Sequence, residues 1–240
     1  MNKYDVIIIG AGPSGIFCAY ELMRQKPDMK VLMIEKGRSI EKRQCPKRTT
    51  KVCVGCKPCS ITTGFAGAGA FSDGKLSLSP DVGGTLPEIL GYEKAEELIR
   101  EADNIYLKFG ADEKVYGIDD YEAIERIRAK AIRANLKLIE CPIRHLGTEE
   151  GYKIYTRLQE HLLASGVEIK FMTMVQDIII EDGVAKGVVT DKEETYYADE
   201  IVSGIGREGS SWFEGICKNH GIKTQNGTVD VGVRVDHEGT

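Results

Sequence analysis

The sequence lacks any apolar stretch long enough to cross a membrane as a helix. Its N-terminal apolar run, VIIIGAGPSGIFCAY, is interrupted by Gly and Pro and has no basic lead-in, so it does not resemble a signal peptide. Basic residues are not in excess either, since the net charge is −5. That balance gives no general reason to expect nucleic acid or an anionic membrane as a partner. These absences predict a cytoplasmic protein without a membrane span.

A disulfide framework is also not indicated. The chain has seven cysteines, an odd number, and four of them fall within residues 45–59, which suits a reducing compartment. There is no long-period repeat and no low-complexity tail, and no convincing acid–base pair stands out for catalysis. The chain is long enough to bury one large core or two small ones.

The N-terminal segment predicts a β–α–β unit over residues 2–37. YDVIIIG is a continuous β-branched run typical of a strand buried on both faces of a parallel sheet, and KVLMIEKG predicts a second such strand. Between them, PSGIFCAYELMRQK has helical spacing of its apolar residues, with a proline in the first turn.

The first strand-to-helix turn carries a dinucleotide-binding motif, G-x-G-x-x-G, in its expected context. The residues predicted to bind a cofactor here are Gly10, Gly12, Pro13, Ser14 and Gly15, with Glu35 and Lys36 at the end of the second strand. The glycines allow a tight turn, close approach of a pyrophosphate and close helix packing, while the helix N-terminus offers free N–H groups. The carboxylate at the second strand end would accept hydrogen bonds from ribose hydroxyls and repel a 2′-phosphate, which argues against NADP at this site.

Residues 38–92 show no clear periodicity, and so long an irregular stretch predicts a functional segment. Helices are predicted at 93–109, 120–135 and 148–166, and LKLIEC at 136–141 is compatible with a strand. Short strands are predicted over 167–173, 175–182, 184–191 and 194–206, then a short helix over 207–221 and a strand within 228–240.

The motif GFAGAGAFSDGKLSLSP at 64–80 carries a family resemblance, together with YDVIIIGAGPSG, IEKG, RHLGT, ADEIVSGIGREGS and the cysteine arrangement. The chain resembles a largely uncharacterised bacterial and archaeal family of FAD-dependent dehydrogenases within the glutathione-reductase-like flavoprotein superfamily. The resemblance implies an α/β fold, in which a Rossmann-type FAD-binding domain with a parallel sheet is interrupted by a second, mixed α/β domain. It implies FAD as the cofactor, NAD(P)H as a candidate electron donor, and hydride or electron transfer with an undefined small-molecule substrate or electron acceptor.

Two further groups of residues are implied to lie near the cofactor. The glycine-rich loop would contribute Gly67, Gly69, Ser72, Asp73 and Gly74, and the returning strand would contribute Gly204 and Gly206. The predicted division is an FAD-binding domain of residues 1–92 and 136–218, a helical insertion at 93–135, and a C-terminally incomplete second domain starting at 219–240.

Family members are longer than this chain, and their C-terminal half completes the flavin site. The chain is therefore expected to be an N-terminal fragment that binds FAD weakly or not at all by itself. Two alternatives stay open, namely a non-catalytic dinucleotide- or metal-binding fragment and an NAD-only dehydrogenase. Oligomeric state is not predicted.

The cysteines form C-x2-C-x2-C, with a further Cys-Pro upstream; the four are Cys45, Cys53, Cys56 and Cys59. This spacing is compatible with a [4Fe–4S] cluster, a structural zinc, redox-active thiols or a purely structural loop. The surrounding basic residues, Arg43 among them, would lower the pKa of thiolates. As catalytic candidates the sequence offers only Arg144 and His145, a pair that could hold an anionic substrate or assist proton transfer. Trp212 and Phe213 are predicted to lie in the core.

Overall fold

A computed structural model describes residues 3–72, 74–225 and 227. Its strands are β1 (Lys3–Ile9), β2 (Val31–Ile34), β3 (Lys75–Ser77), β4 (Val115–Tyr116), β5 (Ile143–His145), β6 (Glu168–Lys170), β7 (Val175–Glu181), β8 (Val184–Thr190) and β9 (Thr195–Ser203). Its helices are α1 (Pro13–Gln25), α2 (Lys47–Thr50), α3 (Leu86–Leu90), α4 (Tyr92–Lys108), α5 (Tyr121–Arg133), α6 (Thr148–Ala164) and α7 (Ser210–Asn219). No helix in this described part of the chain has the length and apolar character needed to cross a membrane.

The main sheet has six strands in the order β6-β2-β1-β9-β8-β7. The first four are parallel, and β7, β8 and β9 pair antiparallel. In the centre, Val6 is aligned with Val31 on one neighbour and with Glu200 on the other. This arrangement confirms the predicted β–α–β unit and the α/β fold class with a mostly parallel sheet.

Burial on both faces explains why β1 and β2 are continuous apolar runs. Along β1, Val6 and Ile8 join the core on one side of the sheet, where α1 and α6 pack, whereas Ile7 and Ile9 join the core on the other side, with Ile216 of α7. All four residues of β2 are buried. A strand covered on both faces has no polar alternation, and the sequence pattern reflects this.

A second, smaller sheet has the antiparallel order β3-β5-β4. Arg144 of β5 ties this sheet to α4 through a buried bidentate ion pair with Asp103, at 2.5 and 2.8 Å, and donates to the Asp112 carbonyl at 2.6 Å. A bidentate Arg–carboxylate pair fixes geometry as well as charge. The small sheet therefore draws one strand from each side of the predicted insertion at 93–135 and one from within it.

The strand compatible with residues 136–141 is absent, and this prediction is wrong. The strand begins instead at Ile143, where partners on β3 and β4 are available, while Leu136 and Ile139 are 66% and 42% exposed. Apolar alternation alone does not supply a hydrogen-bonding neighbour, which a strand needs. The strand predicted within 228–240 lies outside the described residues.

Candidate dinucleotide-binding site

A cavity of about 490 Å³ lies at the carboxyl ends of the central parallel strands. In doubly wound sheets this edge is where ligands bind. The cavity wall is built by five segments far apart in sequence, at residues 9–14, 34–36, 62–69, 173–175 and 204–212. The end of β1 therefore lies between the ends of its neighbours β2 and β9, and all three contribute to the wall.

The glycine turn after β1 allows backbone to approach backbone. Gly10 has a φ of +98°, and its N–H donates to the Ile34 carbonyl at 2.8 Å. On the other side, the Gly204 N–H donates to the Ile9 carbonyl at 2.9 Å. A side chain at Gly15 would have its Cβ 2.0 Å from the Gly10 carbonyl oxygen, so this glycine is required for packing rather than for lining the cavity.

Helix α1 presents an uncapped N-terminus to the cavity. Gly12 is the N-cap and makes no side-chain cap hydrogen bond, and Pro13 and Ser14 follow it in the cavity wall. A Cβ on Gly12 would meet no atom within 4 Å, so the space in front of this residue is open. Unpaired first-turn N–H groups and the positive end of the helix dipole together suit an anion such as a phosphate.

Glu35 is buried and rigidly held at the end of β2. Its two carboxylate oxygens accept hydrogen bonds from the backbone N–H groups of Ala11, at 2.8 Å, and Gly37, at 2.7 Å. An ionised carboxylate has about four acceptor positions, so two backbone donors leave capacity for hydroxyl groups from the cavity side. The geometry suits the predicted ribose-binding role.

The glycine-rich loop is fastened against the glycine turn. The Ala66 N–H donates to the Ala11 carbonyl at 2.7 Å, and a Cβ on Gly67 would lie 3.5 Å from the Gly12 Cα. Ala66 itself has a φ of +69°, an uncommon conformation for a residue with a side chain. Two glycines thus face each other across a narrow part of the wall.

Arg43 is buried against this loop and stabilises it through hydrogen bonds. Its side chain is 3% exposed, and the guanidinium donates to four carbonyl oxygens, those of Ser60, Ile61, Phe65 and Gly67, over 2.5–3.1 Å. Burial lowers the pKa of Arg43 to about 10. In the sequence this residue is one of a basic run assigned to the thiols, and nothing local distinguishes it from its exposed neighbours. The structure assigns it to shaping the cavity wall.

The rim of the cavity carries an ion pair. Lys36 lies 3.5 Å from the Glu208 carboxylate, linking the end of β2 to the segment after β9. Trp212, the only tryptophan of the chain, also lines the cavity, and its indole N–H donates to the Gln176 carbonyl at 2.9 Å. The core prediction for the aromatic pair is wrong for Phe213, which is 38% exposed, and Trp212 is half-buried at the cavity wall.

Most of the predicted cofactor residues meet in this cavity. Those that line it are Gly10, Gly12, Pro13, Ser14, Glu35, Lys36, Gly67, Gly69, Gly204 and Gly206. Ser72 and Gly74 do not line it; the Ser72 hydroxyl instead bonds the Gly69 carbonyl and the Gly74 N–H, both at 3.1 Å. Asp73 lies outside the described residues.

The catalytic candidates are placed elsewhere. Neither Arg144 nor His145 lines the cavity. Arg144 is committed to the buried ion pair with Asp103, and the His145 ring packs edge-on to Tyr116, with centroids 6.4 Å apart. Both residues lie in β5 of the small sheet, and their part in catalysis stays a prediction.

Several residues line the cavity although no motif in the sequence predicted that they belong to the site. Thr62 and Thr63 precede the glycine loop, Thr173 and Met174 precede β7, and Val175 is the first residue of β7. The Thr173 N–H donates to the Glu35 carbonyl at 3.1 Å, a pairing set by β6 lying beside β2. The strand order therefore brings Thr173 to the site.

The four clustered cysteines are not joined by disulfide bonds. Cys53 and Cys59 are exposed, and Cys45 and Cys56 are half-buried. Across residues 3–72, 74–225 and 227, no three His, Cys, Asp or Glu side chains are grouped so as to hold a metal ion. The predicted [4Fe–4S] or zinc site therefore finds no support in the geometry of the described residues.

Cys59 has an environment suited to a reactive thiol. The backbone N–H groups of Thr62 and Ile61 and the Thr62 hydroxyl hold the pKa of Cys59 below its usual range. A lowered pKa raises the thiolate fraction near neutral pH, and the thiolate is the nucleophile. We expect iodoacetamide at pH 7 to alkylate Cys59 several-fold faster than Cys53, which is also exposed, as measured by peptide mass spectrometry.

The variant Thr62→Val removes one donor to the Cys59 sulfur while keeping the shape of the side chain. It should slow alkylation of Cys59 and leave Cys53 unaffected. Equal labelling rates for the two thiols in the unmodified protein would contradict this assignment.

Two family models match the chain. Residues 121–239 match the model described as pyridine nucleotide-disulphide oxidoreductase, and residues 1–41 match the Thi4 family. A curated relative, thiamine thiazole synthase from Coprinopsis cinerea, is 52% identical over 33 residues, which are 14% of this chain and 10% of that protein. Each of these matches covers less than half of the chain.

Solved structures are similar over most of the chain. Glycine oxidase from Geobacillus kaustophilus has a TM-score of 0.52 at 14% identity, covering 92% of this chain and 59% of that one. Glycine oxidase from Bacillus cereus has a TM-score of 0.51 at 17% identity, covering 91% and 58%. A 3-ketosteroid-Δ4-(5α)-dehydrogenase from Rhodococcus jostii RHA1 has a TM-score of 0.51 at 18% identity, covering 84% and 45%.

The chain thus spans about half the length of these structures. Identities this low report on the fold alone. The mostly parallel sheet, the glycine turn and these similarities agree, and the chain has a Rossmann-like α/β fold similar to that of the two glycine oxidases.

Proposed function

We propose that the chain is the cofactor-binding part of an FAD-dependent oxidoreductase. The observation that supports this most is the convergence of the glycine turn, Glu35 and the glycine loop at 62–69 on one cavity of about 490 Å³. That volume lies within the range of small-molecule and cofactor sites. A bound flavin supplies the hydride or electron transfer chemistry itself, so the protein's part is to bind and orient it.

The ADP half of the cofactor would occupy the end formed by α1 and β2. The uncapped N-terminus of α1 offers N–H donors to a diphosphate, and the open space in front of Gly12 lets it approach the backbone. The buried Glu35 carboxylate would accept hydrogen bonds from ribose hydroxyls. Because two backbone N–H groups fix that carboxylate, it cannot rotate away to make room for a 2′-phosphate.

The flavin end would face the glycine loop. Gly67 and Gly69 leave that wall without side chains, and the hydroxyls of Thr62 and Thr63 add hydrogen-bonding groups beside it. The loop cannot drift away from the cofactor, because Arg43 and the Ala66–Ala11 backbone bond fix its position. This wall therefore excludes water and orients a planar ring without contributing an acid or a base.

The finer function is a dehydrogenase whose flavin is reduced by NADH or NADPH and which acts on an undefined small molecule. The match of residues 121–239 to the pyridine nucleotide-disulphide oxidoreductase model supports a nicotinamide partner. Anaerobic addition of each nicotinamide to the FAD-loaded protein, followed by the visible spectrum, tests this step, since bleaching of the flavin bands reports reduction.

Ligand binding tests the cofactor assignment directly. Trp212 is the only tryptophan and lines the cavity, so its fluorescence reports on occupancy. We expect ADP to quench this fluorescence, and we expect FAD, although the chain binds it weakly, to bind more tightly than NAD⁺. In the control variant Trp212→Phe the tryptophan signal should vanish while bound FAD is still detected by its own fluorescence.

Two results would contradict the proposal. Tighter binding of NAD⁺ than FAD would favour an NAD-only enzyme. If neither ADP nor FAD binds at all, the cavity is not a dinucleotide site.

A second candidate function is thiazole synthesis, favoured by the match of residues 1–41 to the Thi4 family and by the 33-residue similarity to a thiamine thiazole synthase. Both matches fall in the β–α–β unit, which the proposed flavin function uses as well. Expression of the chain in a thiazole-requiring strain separates the two. Restored growth without thiazole would support the second function, and absence of growth from a chain that binds FAD would favour the first.

A further inference from the structure

The charges of the cavity are unevenly compensated. Four charged side chains line it, and they are Glu35, Lys36, Arg207 and Glu208. Lys36 is within 3.5 Å of both the carboxylate and the backbone carbonyl of Glu208. Glu35 is held by two backbone N–H groups. By contrast, the guanidinium of Arg207 is exposed and makes no hydrogen bond or ion pair with any part of the chain that the structure describes.

The strand order sets where these charges lie. Glu35 follows β2 and Arg207 follows β9, and both strands pair with β1, which ends in the glycine turn. The negative Glu35 and the positive Arg207 therefore flank the N-terminus of α1 on opposite sides. A ligand complementary to this edge has hydroxyl groups at one end and negative charge from the turn onward.

We propose that Arg207 is a nucleotide-binding residue that contacts a phosphate of a diphosphate-bearing nucleotide. This inference rests on the proposed function and adds to it the residue that neutralises the diphosphate. The ligand class is a nucleoside diphosphate or a dinucleotide, rather than a neutral nucleoside.

The N-terminus of α1 is insufficient for two phosphates. Its dipole is equivalent to about half a positive charge, and Pro13 removes one of its N–H donors. A diphosphate carries at least two negative charges and more acceptor oxygens than the remaining donors can serve. A guanidinium adds a full charge and a planar fork of donors that matches phosphate geometry.

Lys36 cannot take this role as readily, because it would have to leave Glu208. Arg207 has no ion pair to break, because its guanidinium is hydrated. Its backbone is fixed by the short helical turn at Arg207–Gly209, whose Gly209 N–H donates to the Gly206 carbonyl at 2.9 Å. The side chain is thus exposed, and its backbone is fixed.

Binding of adenosine, ADP and FAD to Arg207→Gln tests the proposal, with Trp212 fluorescence as the readout. Hydrogen bonds to charged groups are worth enough to change affinity by roughly tenfold or more. We expect the variant to bind ADP and FAD about tenfold more weakly and adenosine as well as the unmodified protein does. Arg207→Lys should be intermediate, because it keeps the charge but loses the fork. Added salt should weaken ADP binding less in Arg207→Gln than in the unmodified protein.

The matched control is Arg133→Gln, which removes one exposed arginine at the end of α5 away from the cavity lining. It should leave all three affinities unchanged. Equal losses for adenosine and ADP in Arg207→Gln, or no loss for either, would overturn the role of Arg207. If the unmodified protein binds neither ADP nor FAD, the proposed function itself fails, and the two failures are thereby distinguished.

Discussion

Replacing Gly15 with alanine is expected to lower the free energy of unfolding by about 3 kcal/mol or more. The added methyl group would lie 2.0 Å from the Gly10 carbonyl oxygen and 3.2 Å from Cγ2 of Ile8. Neither neighbour can yield easily, because Gly10 is hydrogen-bonded to the Ile34 carbonyl and Ile8 is fully buried in the sheet. Helix α1 would have to move away from β1, which opens the core between them.

The matched control for this substitution is Gly12→Ala, three residues earlier in the same turn. A Cβ there meets no atom within 4 Å, and the φ of −74° suits alanine. We expect its stability to stay within about 0.5 kcal/mol of the unmodified protein, while binding of ADP is lost because the methyl group projects where a diphosphate approaches. Urea unfolding followed by circular dichroism, with nucleotide titration of each folded variant, measures both effects. A Gly15→Ala midpoint equal to that of Gly12→Ala would contradict this account of the turn.

The parts of the fold that depend on local sequence could be predicted. β1, α1 and β2 follow from a buried apolar run, a helical period and a second run, and the glycine turn lies between elements that are contiguous in sequence. For the same reason the fingerprint residues and Glu35 could be placed together in advance. The local pattern gave a wrong prediction at 136–141, where an apolar alternation has no neighbouring strand with which to form hydrogen bonds.

The rest of the site depends on contacts between distant segments. The register of β9 against β1 brings Arg207 and Trp212 to the cavity, and the pairing of β6 with β2 brings Thr173 there. The local sequence of β6 or β9 does not indicate which strand will be its neighbour in the sheet. The cysteines show that a motif in the sequence can also predict too much. The C-x2-C-x2-C spacing is typical of metal sites, but the structure shows no group of three potential metal ligands among the described residues.

Arg43 is a clear case of a role that tertiary structure alone assigns. The residues around it in sequence, Lys42, Lys47 and Arg48, are exposed, and only Arg43 is buried against the glycine loop. One basic residue among several others has no sequence feature that predicts its burial. Its four carbonyl acceptors come from residues 60–67, which have no periodicity from which a partner could be inferred.

Arg43→Met is expected to lower the free energy of unfolding by about 3 kcal/mol and to abolish nucleotide binding. Methionine fills part of the space but donates no hydrogen bond, so buried carbonyls such as that of Phe65 lose their partner. The loop would then leave the glycine turn and take Gly67 out of the cavity wall. Arg43→Lys should lose less stability, because one ammonium group can still serve some of the carbonyls.

Arg48→Met is the control, since it removes an exposed arginine from the same segment. Both guanidinium groups lie over the Phe71 ring, at 4.9 Å for Arg43 and 5.7 Å for Arg48, so the comparison separates that shared contact from the carbonyl hydrogen bonds. Urea unfolding gives the stability of each variant, and chymotrypsin cleavage after the buried Phe65 reports release of the loop. If Arg43→Met is as stable, as resistant to chymotrypsin and as competent for ADP binding as Arg48→Met, Arg43 does not hold the cavity wall. The expected opposite result would make a buried arginine, rather than the cysteines beside it, the residue through which this loop serves the cofactor site.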